Sequence, residues 1–88
     1  MKKRRIIILA KPYETYQQIF VYEDGNKIDG VKIPYAELTD NLFQLTEKYQ
    51  VDRVDLTGPK QYVRGLAKQL EKIELSKYNK NSISFKVI

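Results

Sequence analysis

Residues 51–88 read VDRVDLTGPKQYVRGLAKQLEKIELSKYNKNSISFKVI, and the fold turns on how this stretch divides. The apolar residues of 51–57 predict a strand, and Thr57-Gly58-Pro59 a tight turn. Over 60–75, Val63, Leu66, Ala67, Leu70 and Ile73 recur at helical spacing and form one apolar stripe. Tyr78-Asn79-Lys80-Asn81 reads as a polar turn. Over 82–88, Ile83, Phe85 and Val87 alternate with Ser82, Ser84 and Lys86, the pattern of a strand with one buried face. On the predicted helix Lys60, Arg64, Lys68 and Lys72 recur every four residues. At about 3.6 residues per turn each step drifts only about 40°, so the four cations form a second stripe opposite the apolar one.

Working outward, residues 5–10 are a continuous apolar run, Ile6-Ile7-Ile8-Leu9-Ala10 behind Arg5. Such a run predicts a central strand with apolar side chains on both faces. A second strand is expected over 16–23, with Ile19 and Val21 on one face and Phe20 and Tyr22 on the other. Asp24-Gly25-Asn26 supplies hairpin chemistry into a third strand over 27–33, in which Gly30 marks a bulge or an edge. A helix is expected from Pro34, with Glu37 in its first turn and Leu38, Leu42, Leu45 and Tyr49 on one face, ending before Gln50.

The resulting succession β-β-β-α-β-α-β is similar to the ribonuclease H-like fold. The resemblance covers nearly the whole chain and rests on element order, with no residue motif. It implies an α/β architecture of the mixed α+β kind. The five-stranded sheet would be ordered 3-2-1-4-5, with two helices on one face. The same order also resembles the start of actin-like ATPase subdomains, where a strand, Gly-rich turn and helix match Leu56-Thr57-Gly58-Pro59. Ribonuclease H-like nucleases hold two metal ions on carboxylates from strand 1, helix 1 and the end of strand 4. Here the first strand has no acid, and Asp55 with Glu37 or Asp40 leaves the set incomplete. The plainer expectation for Asp55 is an ion pair with Arg53.

Composition narrows the chemistry further. The 88 residues are 42% hydrophobic and 31% charged, with formal net charge +5, which fits one soluble globular domain and anionic partners. With no Cys and no His, neither a Ser-His-Asp triad, a Cys-His pair nor the usual zinc site can be built. The expectation is a non-enzyme without cofactor or metal, in the cytoplasm. Met1-Lys2-Lys3-Arg4-Arg5 before the apolar run imitates a signal peptide, but the run falls short of the roughly 7–15 residues needed.

The basic stripe is consistent with a solvated helix face, which Glu71 and Glu74 would partly neutralise. Against that, the other helix carries Glu37, Asp40 and Glu47 with Lys48 alone, so charge is segregated between helices. The expectation is a nucleic-acid-binding accessory protein, of a kind suited to a phage or mobile element. Its phosphate contacts would be Lys60, Arg64, Lys68 and Lys72 together with Lys2, Lys3, Arg4 and Arg5. The alternative for the basic N-terminus is a charged guard on a sticky strand. The competing role is a protein-interaction module, an inhibitor or adaptor that meets an acidic protein. A chain ending with the fifth strand leaves the sheet face opposite the helices uncovered, so Ile7, Phe20 and Tyr22 are expected at an interface, most simply that of a homodimer. Aromatic residues on an open sheet can alternatively stack unpaired bases.

Overall fold

The structure, a computed structural model, describes residues 3–88. Its strands are β1 (Arg4–Leu9), β2 (Tyr16–Glu23), β3 (Asn26–Pro34), β4 (Arg53–Thr57) and β5 (Ser84–Val87). Its helices are α1 (Leu38–Lys48), preceded by a 3-10 turn at Tyr35–Glu37, and α2 (Lys60–Tyr78). The five strands form one mixed sheet in the order β3-β2-β1-β4-β5. β1 pairs antiparallel with β2 and parallel with β4, and β4 pairs parallel with β5. The expected element order and strand order are both present, and β1 is central.

Local chemistry explains the turns. Glu23 pairs with Asn26 across a two-residue loop in which Asp24 (φ 52°) and Gly25 (φ 85°) both take positive φ, the type I′ geometry that matches strand twist. β3 is an edge strand, as Gly30 indicated, and the register shifts between Val21 and Tyr22. Phe20 pairs with Gly30, and a Cβ there would lie 3.2 Å from the Phe20 ring, so the glycine leaves room for that ring to lie across the edge.

The core lies on one face of the sheet. Ile6 pairs with Val21 and Val54, and Ile8 with Ile19 and Leu56, giving a continuous apolar floor. Leu38, Leu42 and Phe43 of α1 and Val63, Leu66, Ala67 and Leu70 of α2 join the same buried cluster, so both helices cover that face. Each fully buried Ile or Leu contributes about 1.5–3 kcal/mol relative to exposure.

Several ends differ from the sequence reading. Pro34 ends β3 instead of opening a helix, because Tyr35 N–H donates to Thr15 O at 2.8 Å and prolongs the ladder. α1 therefore begins at Leu38. α2 runs three residues further than expected, to Tyr78 instead of 75, because Tyr78 stacks on Phe43 with ring centroids 4.6 Å apart. β4 begins at Arg53 and β5 is only Ser84–Val87, both shorter than their apolar patterns. α1 stops where Gln50 turns left-handed (φ 52°), and Val51 N–H closes the cap on Thr46 O at 2.9 Å.

Candidate nucleic-acid interface

α2 starts at the residue after Pro59, whose fixed φ of −58° suits a helix entry and whose carbonyl accepts from Val63 N–H at 3.0 Å. Burial of Val63, Leu66, Ala67 and Leu70 then fixes the helix rotation and turns the opposite side outward. Lys60, Arg64, Lys68 and Lys72 all lie exposed on that outer side. None of the four makes an ion pair or side-chain hydrogen bond among the described residues.

Of the two acids expected to neutralise part of the stripe, Glu71 lies exposed beside it and Glu74 does not. Glu74 is only 1% exposed and points inward, where it accepts from Ser82 N–H (3.2 Å), Ser82 Oγ–H (3.3 Å) and Ile83 N–H (3.1 Å). It anchors the chain entering β5, which leaves Glu71 as the exposed acid beside the stripe. The α1 acids are engaged at the other end of α2. Lys77 donates to Asp40 at 2.6 Å, and Lys80 lies 3.8 Å from Glu47. The hydrogen bond and charge of Lys77 hold the Asp40 carboxyl below its usual range, and Asp40 raises Lys77 in return.

The basic N-terminus is not one patch. Lys2 lies outside the described residues, and Lys3 is exposed with its backbone N–H on Asp24 Oδ1 at 2.9 Å. Strand alternation sends Arg4 and Arg5 to opposite faces of the sheet. Arg4 bonds Glu23 at 2.9 Å and donates to the Tyr49 carbonyl at 2.8 Å, fastening β1 to the end of α1. Arg5 reaches Asp55 at 3.3 Å and stands 5.6 Å from the Tyr22 ring centroid.

The sheet face opposite the helices carries Ile7, Leu9, Phe20 and Tyr22, all half-buried. Ile7 pairs with Phe20 on one side and Asp55 on the other, and Arg5 pairs with Tyr22. The Phe20 and Tyr22 rings meet edge to face at 6.5 Å, and Lys27 Nζ stands 4.6 Å from the Phe20 centroid. Asp55 is fully buried on this face and accepts from Arg53 at 3.0 Å as well as from Arg5. The Arg53 pair is the one the sequence indicated; the contribution of Arg5 is visible only once β1 and β4 are adjacent.

Asp55 and Asp40 do not converge, since Asp55 is held by two arginines on the open face and Asp40 by Lys77 beside α1. Glu37 is exposed in the 3-10 turn. Among the described residues no group of three or more acids is placed to hold a metal ion. Other polar links also escaped the sequence: buried Gln17 ties down Lys11 through both backbone groups at 2.7 and 2.9 Å, and Tyr49 O–H donates to Asp29 at 2.6 Å. That bond is the main cause of the lowered Asp29 and raised Tyr49 pKa values. Burial, with help from Tyr35, pushes the Tyr62 hydroxyl up to about 12. Among the described residues no helix is long and apolar enough to cross a membrane. Comparison with protein-family models, curated proteins and solved structures finds no match for this chain.

Proposed function

We propose that this is a non-catalytic, cytoplasmic accessory protein of ribonuclease H-like architecture that binds nucleic acid through the outer face of α2. The observation that carries the reading is the set of four exposed cations without an ion-pair or hydrogen-bond partner among the described residues, while Lys77 and Lys80 take up the α1 acids. Along the helix the cations stand about 6 Å apart and span about 18 Å. That is the length of roughly five phosphates at about 3.4 Å per strand. The contacts are to backbone phosphate and carry no base sequence. Arg4 is occupied within the fold, so the basic N-terminus contributes through Lys3, with Lys2 beside it in sequence.

The test is fluorescence anisotropy at low salt with the quadruple variant Lys60→Glu, Arg64→Glu, Lys68→Glu and Lys72→Glu. Affinity for duplex DNA is expected to fall by at least about a hundredfold, because four attractive charges become four repulsive ones. Unchanged affinity reduces the stripe to a solvated helix face.

A second reading, a protein-interaction module or homodimer, draws on the half-exposed row Ile7, Phe20 and Tyr22. It is favoured if sedimentation at micromolar concentration gives a dimer that Ile7→Glu splits.

A further inference from the structure

The occupant of the open sheet face is set by its charge as well as its apolar row. By strand register Arg5, Lys32, Arg53 and Lys86 belong to this face, and Lys27 lies over Phe20. Among the described residues Asp55 is the one strand carboxylate on it, and it is buried between two arginines. A second copy of the chain docked here by two-fold symmetry would bring this basic field against itself, and like-charge juxtaposition across an interface costs several kcal/mol. The surface therefore calls for a polyanion that also carries flat apolar groups.

We propose that the open face binds single-stranded nucleic acid, with unpaired bases against Tyr22 and Phe20 and phosphates at Arg5, Lys27 and Arg53. Each ring has a cation within stacking reach, at 5.6 Å for Tyr22 and 4.6 Å for Phe20. A base on Tyr22 displaces the mobile Arg5 guanidinium, which can then stack on the base's outer side, whereas the Lys27 ammonium beside Phe20 is a point charge suited to a phosphate. Gly30 supports the arrangement by leaving room for the Phe20 ring against the edge strand. At the end of the sheet beside Tyr22 a cleft of about 630 Å³ is lined by Lys3, Arg4, Arg5 and Arg53 together with Asp24 and Asp52. That volume lies within the about 300–1,000 Å³ of small-molecule sites and admits a nucleotide. An acidic protein would use the cations but has no need of the rings, which is why bases fit better. The inference shares with the α2 reading the premise of a nucleic-acid ligand, yet it concerns the opposite side of the sheet and can fail separately.

The experiment compares a labelled twelve-nucleotide single strand, as oligo-dT and as oligo-rU, with a duplex of equal length at low salt. The proteins are the intact chain, Tyr22→Leu, Phe20→Leu and the α2 charge reversal. Leucine keeps an apolar contact and removes the ring, and thermal unfolding checks that each variant folds. Each ring loss is expected to weaken single-strand binding by about tenfold and leave duplex binding unchanged. Backbone amide shifts of the unmodified protein on adding oligo-dT provide a readout that needs no variant, and they are expected over Ile7–Leu9 and Phe20–Tyr22. Unchanged single-strand affinity in the leucine variants overturns the proposal, as do equal losses for strand and duplex or shifts confined to α2. A dimer that the ring variants dissociate assigns the face to a second copy and overturns it too. If charge reversal on α2 leaves single-strand binding intact while ring loss removes it, the α2 reading fails for single strands and the sheet reading stands.

Discussion

A Cβ built at residue 58 would come 2.4 Å from the carbonyl oxygen of Ala10 and 3.2 Å from Val63. Gly58 also holds φ at +153°, where L side chains are strained. The glycine that opens α2 is thus required by the end of β1, which passes directly beneath it and accepts nothing bulkier. Gly58→Ala is predicted to cost about 2–3 kcal/mol, by strain and by pushing β1 from β4, read as a drop in urea midpoint. In sequence the same glycine reads simply as part of a tight turn, because the atom that demands it comes from a distant part of the chain. Asp55 is similar: its pairing with Arg53 is legible from strand spacing, whereas Arg5 comes to it through the parallel pairing of β1 with β4.

At the scale of elements, hydrophobic period carried most of the information. The alternation around Phe85 and the helical spacing of Val63, Leu66, Ala67 and Leu70 identify β5 and α2 correctly, because the buried face is a direct consequence of periodicity. Ends were harder. Pro34 satisfies the rules for a helix start and for an edge-strand end at once, and a backbone bond to Thr15 decides between them. Glu74 had a readable signal that charge concealed: it lies four residues after Leu70, on the core stripe, so an inward position follows from spacing alone. Its carboxylate accepts two backbone N–H groups and a hydroxyl from Ser82 and Ile83. Glu74→Ala is predicted to destabilise the protein by about 2–3 kcal/mol, since those donors lose a charged acceptor. Amide exchange over Ser84–Val87 should accelerate well beyond that of β1, while Glu74→Gln retains part of the protection. Equal acceleration in every strand would mean that Glu74 supports the fold globally and not the entry to β5.

The whole molecule is a sheet with basic surfaces on its two sides, one on the outer face of α2 and one on the open face around Tyr22 and Phe20. Its acids are largely committed: Asp40 to Lys77, Glu47 to Lys80, Asp55 to Arg5 and Arg53, and Glu74 to the β5 entry. The +5 charge of the chain is therefore displayed and not consumed within the fold. That arrangement makes salt the most direct probe of the central claim, that α2 holds phosphate. The deciding measurement is the slope of log affinity for duplex DNA against log salt concentration, taken for the unmodified chain and for the α2 charge reversal. Four phosphate contacts predict a slope of about −3 to −4 for the unmodified chain, nearly abolished by the reversal. A slope near zero, or an equally steep slope in the reversed variant, would contradict the account.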